Sequence, residues 1–156
     1  EVARGLSRAL VRHAAPQALG EVGGLVRTIS RSLRVGDMED ALQATKAFMA
    51  GMPYHLGSHS ERGFQTTFWL IFTLLGAQID TEVQTATGRV DALVKMPDSI
   101  YVLEFKYNKS AQEALAQINS KGYLLPYKAD GRKLYKVGVN FSEESQTLED
   151  WIIEEG

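Results

Sequence analysis

The segment IYVLEFKY, residues 100–107, is apolar at both parities of an extended chain. Successive strand residues point to opposite faces of a sheet. Ile100 and Val102 therefore share one face, and Tyr101, Leu103 and Phe105 share the other. A strand of this kind is buried on both sides, so charges near its end need partners. The rest of the chain offers elements to bury it. After a start signal at Ser58 to Ser60, Phe64, Phe68, Ile71, Phe72 and Leu75 recur at helical spacing, and Gly76 stops the run. A second helix is predicted over Ala111 to Lys121, with Ser110 and Glu113 as its capping box and Gly122 at C′. Other strand-like runs are Gln78–Thr85, Arg89–Met96 and Leu134–Phe141, with a short one at Trp151–Glu154. The order helix, three strands, helix, strand predicts an α/β or α+β fold, a mixed sheet flanked by helices.

Upstream of this unit the pattern is helical. Leu6, Leu10 and Val11 recur at helical spacing, as do Leu19, Val22, Val26, Ile29 and Leu33, with Pro16 and Gly36 as punctuation. Asp37 offers an N-cap, with Asp40 at the capping-box position, to a helix carrying Ala41, Leu42, Thr45 and Phe48 on one face. Gly51-Met52-Pro53 ends it. The expected division is a helical extension over 1–56 and a compact α/β domain over 57–156, which 156 residues can accommodate.

Two β-runs carry the chemistry. Arg89–Met96 and Ile100–Tyr107 are joined by Pro97-Asp98-Ser99, a hairpin by length and composition. If Met96 pairs with Ser99, Asp91 lies directly opposite Glu104, where Cβ atoms are roughly 4.5–5.5 Å apart. Lys106, two residues beyond Glu104, shares that face. A slip of one residue would split the set across the sheet. Two carboxylates at this spacing repel unless a cation sits between them. Oxygen donors suit Mg²⁺, which keeps several waters. A neighbouring lysine can polarise a water or stabilise charge on a phosphate. The plainer alternative is that Glu104 and Lys106 are solvent-facing residues of a half-exposed sheet. Arg89 is read as facing away from this set, His55 and His59 as loop residues, and Tyr123 as ordinary packing after the helix C-cap.

Bulk properties narrow the partners. With no cysteine there is no disulfide and no thiolate zinc site, which fits a reducing cytoplasm. No apolar run is long enough to span a membrane, and no basic-then-apolar leader opens the chain. The missing initiator Met suggests a piece of a longer protein or a trimmed product. The net charge of −2 excludes a generally basic nucleic-acid binder. The charge is uneven, however. Residues 105–136 hold seven basic side chains against Glu113 and Asp130, and residues 143–156 hold six acidic ones and no basic ones. These are either solvated faces or a basic surface beside a phosphate-handling site.

Gly88-Arg89-Val90-Asp91 followed by Val102-Leu103-Glu104-Phe105-Lys106 resembles the D…(D/E)-X-K core of the PD-(D/E)XK nuclease superfamily. The wider segments ERGFQTTFWLIFTLLG, GRVDALVK, IYVLEFKYNKSAQEALAQINSKGYLLPY and KVGVNFS extend the resemblance over residues 60–154. They look like the nuclease-like domain attached to AAA-like ATPase domains in bacterial proteins. Val90 stands where the superfamily's name has proline. The resemblance implies a restriction-endonuclease-like core and Mg²⁺- or Mn²⁺-dependent hydrolysis of nucleic acid, DNA first, leaving a 5′-phosphate. It implies Asp91 and Glu104 as metal ligands, the Phe105 carbonyl as a further one, and Lys106 as the residue that positions water. Glu61 would be the first-motif acid and Gln117 the polar residue on the later helix. From the residues alone, Glu61 continues the apolar stripe of its helix or complements the helix dipole, and Gln117 is a boundary amide. An ATPase domain would lie upstream, since no GxxxxGK[ST] loop occurs here. The competing expectation is an inactive nuclease-like domain that binds nucleic acid or protein, or that serves assembly.

Overall fold

The computed structural model describes residues 16–51, 60–86 and 89–156, apart from the side chains of residues 16–19 and 89. The expected helix around Leu6 to Val11 and the 52–59 boundary segment with His55 and His59 lie outside the described residues. Three helices come first: α1 (Pro16–Arg34), α2 (Met38–Ala50) and α3 (Glu61–Leu75). Three strands follow, β1 (Asp80–Ala86), β2 (Arg89–Lys95) and β3 (Ser99–Tyr107). Helix α4 (Ala111–Lys121), a 3₁₀ turn (Leu125–Tyr127), β4 (Lys133–Ser142) and β5 (Thr147–Glu155) complete the chain. This is the mixed α/β sheet with flanking helices and an N-terminal helical part that the element order predicted.

The helix starts are fixed by side chains. The Ser60 hydroxyl accepts from the Gly63 N–H at 3.0 Å, and Ser110 accepts from the Glu113 N–H at 3.1 Å. Asp37 accepts from the Asp40 N–H at 2.9 Å. Asp40 does not complete a capping box. Its carboxylate accepts from the Ser32 hydroxyl at 2.6 Å, while the Asp37 N–H donates to the Ser32 carbonyl. This residue ties α2 to α1 instead. At the end of α4, Gly122 adopts φ 62° and ψ 36°, the left-handed conformation that glycine takes without a Cβ clash.

Strand order in the sheet is β1-β2-β3-β4-β5, with β3 and β4 parallel and every other pair antiparallel. The parallel pair is joined through α4, as a parallel connection requires. The two faces of β3 are covered as its double-apolar pattern demands. On the odd-numbered face, Phe105 lies 4.3 Å from Phe68 between ring centroids, and Phe64 meets both Tyr107 and Phe141. On the even-numbered face, Ile100 and Val102 form a second apolar cluster with Ile118, Leu124 and Leu134. The N-terminal helices share the larger core: Val26, Ile29, Leu33 and Leu42 belong to the same buried cluster as Phe68 and Phe105. Helix α2 is also tied to β5, through the Trp151 indole N–H on Glu39 at 2.8 Å and the Thr147 hydroxyl on the Lys46 carbonyl at 3.0 Å.

Two strand readings need correcting. The last strand is longer than the expected Trp151–Glu154, because it pairs with β4 from Ser142 back to Tyr135 across an irregularity at Asn140 and Phe141. Arg89 pairs with Lys106 in the ladder. Positions 89 and 91 are two apart on one strand, so the backbone places position 89 on the same face as Asp91.

Candidate active site

The hairpin register follows from its turn. The Met96 N–H donates to the Ser99 carbonyl at 2.7 Å, and the ladder then sets Asp91 against Glu104. Because Met96 and Ser99 form a hydrogen-bonded pair, alternation makes Asp91 and Glu104 a non-hydrogen-bonded pair, the closer of the two kinds for side chains. Glu104 is wholly buried, with none of its side chain exposed. Its Oε1 lies 3.3 Å from Lys106 Nζ. Burial first, and then the hydrogen bond and charge of Asp91, push the Glu104 carboxyl up to about 7, against the opposing pull of Lys106. The two acids and the amine expected from the hairpin therefore meet on one face of the sheet.

Helix α4 supplies the next contact. Its Gln117 Oε1 accepts from Lys106 Nζ at 2.8 Å, so the expected polar residue reaches the lysine directly. With Glu104 and Gln117 as partners, a third N–H of the ammonium can meet a water or a phosphate oxygen. The position of α4 depends on Gly138, which pairs with Glu104 across β3 and β4. A Cβ at Gly138 would lie 2.5 Å from the Ala111 carbonyl oxygen and 2.8 Å from the Leu115 nitrogen, so helix backbone rests directly on the strand. The start of α4 is held by the same end of the sheet. Asp150 Oδ2 accepts from the Ala111 N–H at 3.2 Å, and buried Asn140 accepts from the Lys109 N–H at 2.9 Å.

Tyr123 is the contact that the sequence reading missed. Its hydroxyl donates to Asp91 Oδ2 at 3.1 Å. The left-handed Gly122 turns the chain back over the sheet after α4, and that C-cap reversal was the available signal. Phe105 buries its ring on the far face against Phe68 and Phe72, so it can serve the pocket only through its backbone carbonyl. Glu61 opens α3, which packs on that far face. Among its electrostatic neighbours is Tyr107, whose hydroxyl is pushed up by burial, Glu143 and Glu61. The described contacts thus join Asp91, Glu104, Lys106, Gln117 and Tyr123, and they set Glu61 beside Tyr107.

The donor set fits a hard cation. Asp91 and Glu104 bring carboxyl oxygens together on one face, the donor type that hard divalent cations take, and Glu104 is ionised fully only above about pH 7. No group of three or more His, Cys, Asp or Glu gathers among the described residues.

A family model described as the PD-(D/E)XK nuclease superfamily matches residues 59–151. A protein described as an uncharacterized protein in the vnfD 5′ region of Azotobacter chroococcum mcd 1 is 30% identical over 115 residues. That alignment covers 69% of this chain and 22% of the relative, so the chain spans about a fifth of the relative's length. No solved structure matches.

Proposed function

The chain belongs to the PD-(D/E)XK nuclease superfamily, and on that premise we propose that it hydrolyses nucleic-acid phosphodiester bonds with Mg²⁺ or Mn²⁺ held by Asp91 and Glu104. The observation that carries this reading is the pairing of Asp91 with buried Glu104, with Lys106 Nζ 3.3 Å from Glu104. When bound, the cation would supply Lewis-acid polarisation of a phosphate oxygen and acidify a water. The chain's own groups do the rest. Asp91 and Glu104 would hold the ion with the Phe105 carbonyl, and the Tyr123 hydroxyl steadies Asp91. Gln117 and Glu104 aim the Lys106 ammonium, which holds the attacking water or meets the charge that develops on the phosphate. Glu61 is assigned as an auxiliary acid on its first-motif position alone, since the described contacts set it beside Tyr107. DNA is the first substrate to test, and direct attack by water leaves a 5′-phosphate. A cytoplasmic site of action and an ATPase domain on the same polypeptide belong to this proposal. No described helix is long and apolar enough to cross a membrane. The reading as an inactive binding module is less favoured, because a degenerate site has no reason to retain Asp91, Glu104 and Lys106 together.

Binding of the cation has a pH signature. Glu104 holds its proton to about pH 7 against an ordinary value of 4.5. An acid with a raised folded-state value makes the metal-free protein lose stability as pH rises between those two values. The cation needs the carboxylate, so its stabilising effect grows as pH rises through about 7. Thermal unfolding with and without Mn²⁺ at pH 5.5 and pH 8 tests this. A larger Mn²⁺ shift at pH 8, absent in Glu104→Gln, is expected; equal shifts in wild type and variant would refute cation binding at this site.

Tyr123→Phe removes only the hydroxyl that steadies Asp91. Losing such an outer contact weakens metal binding on the order of 10-fold or more. Calorimetric titration with Mn²⁺ reads this, and an unchanged affinity would show that Tyr123 only packs.

A further inference from the structure

Helix α4 covers the β3–β4 part of the active-site face and leaves the β1–β2 part to the segment after it. That segment carries Tyr123 and Tyr127 onto the apolar cluster beside Leu93. Between it and the sheet lies a cavity of about 160 Å³, walled by Leu93, Val102, Tyr123, Pro126 and Tyr127. Asp91 lines it as well, so the cavity adjoins the proposed metal site. Its size is close to the roughly 150 Å³ that accommodates a benzene ring. The space fits one flat ring system.

The electrostatics of the walls favour a base over a phosphate. Glu82 and Gln84 line the cavity from β1, and their side-chain oxygens can accept N–H groups from a base edge, with Glu82 also meeting Lys95 at 3.6 Å. Cations flank the tyrosines. Lys95 Nζ lies 5.5 Å from the Tyr127 ring centroid, and Lys121 Nζ lies 5.7 Å from that of Tyr123. Each ammonium lies over one face of its ring, which leaves the opposite face for a base while the cation meets the backbone, the way proteins hold single strands.

We propose that this cavity receives one unpaired base beside the phosphate to be cut, so that the substrate class is single-stranded nucleic acid or a frayed end. The inference rests on the hydrolase reading for the position of that phosphate. The test uses Lys106→Met protein with Mg²⁺, to keep the substrate uncut, and oligonucleotides carrying one 2-aminopurine. Single strands and matched duplexes are compared, as DNA and as RNA. Stacking on a tyrosine is expected to quench the probe in single strands. Tyr127→Ala in the same background should weaken binding on the order of 10-fold. Gln84→Trp, a substitution at an exposed edge-strand position, should block the cavity with the same result even if Tyr127→Ala fails to fold. Quenching in only the DNA or only the RNA strand identifies the sugar that the site accepts. Duplex bound and quenched as well as single strand, or Gln84→Trp binding single strand like the parent, overturns the proposal. Cleavage by proteins with Lys106 intact, measured in parallel, separates the two readings. Quenching without any cleavage sinks the hydrolase and leaves the base site. Duplex cleavage indifferent to Gln84→Trp does the reverse.

Discussion

Lys106→Met is expected to lower metal-dependent cleavage by roughly 10²–10³-fold, the loss that follows removal of one preorganised group facing transition-state charge. The fold should survive, because the Lys106 side chain lies at the edge of the core and is 14% exposed. The substitution carries a second signature. Lys106 is the group that holds the Glu104 carboxyl down against burial and Asp91. Without it Glu104 keeps its proton to higher pH, so Mn²⁺ binding should require more alkaline conditions than in the wild type. Asp91→Asn should abolish cleavage as well, but with the opposite effect on Glu104. The charge that raises the Glu104 carboxyl is removed, and the metal-free variant should lose less stability than wild type as pH rises from 5 to 8. A site whose acids repel one another is stabilised by losing one of them, a common trade of stability for activity. Cleavage rates and metal-free unfolding profiles across pH check both variants. If wild type, Lys106→Met and Asp91→Asn act alike on single- and double-stranded DNA and RNA, the hydrolase reading fails.

Gly138→Ala should have the largest effect on stability. The added Cβ meets backbone, the Ala111 carbonyl at 2.5 Å and the Leu115 nitrogen at 2.8 Å, with no flexible side chain to yield. Either α4 lifts off β4 or the strand bends. Overpacking of this kind costs about 3 kcal/mol at the upper end of its usual range. For a chain of this size that lowers the unfolding midpoint on the order of 10 °C. Activity should fall further than stability explains. A shift of helix α4 moves Gln117 from its 2.8 Å contact with Lys106, and misplacement by about 1 Å can cost 10²-fold in rate. Differential scanning calorimetry and cleavage assays on the variant check the two effects. Wild-type unfolding would mean that the helix has room to move without consequence.

These effects trace back to unequal legibility in the sequence. The pairing of Asp91 with Glu104 could be read because a three-residue connection leaves little freedom of register, and because a strand apolar on both faces had to be central. Helix α4 could be read to its ends, since Ser110 caps its first turn and Gly122 its last, although the Glu113 carboxylate accepts from the Ser110 hydroxyl rather than completing the capping box at its N–H. The last strand was underestimated. Its charges, Glu149, Asp150, Glu154 and Glu155, hide a strand pattern that only the partner β4 makes stable. Tyr123 escaped because its hydroxyl finds Asp91 through a chain reversal, and no spacing rule links positions 91 and 123. Gly138 drew no reading from the sequence, although an isolated glycine in a strand can mark close backbone approach. The helix that approaches it could not be named before the fold was known. Glu61 shows the limit from the other side. Its helical stripe is as expected, with Phe64, Phe68 and Phe72 buried, yet burial of the stripe fixes only the helix and not the direction of the acid at its first turn.

The central claim is that Asp91 and Glu104 hold one divalent cation between them. Anomalous diffraction from crystals grown with Mn²⁺ at pH 8 measures this directly. A single strong peak beside the Asp91 and Glu104 carboxylates is expected, absent in crystals of Glu104→Gln. A peak elsewhere on the chain, or no peak with the two carboxyl groups hydrogen-bonded to each other at that pH, would contradict it.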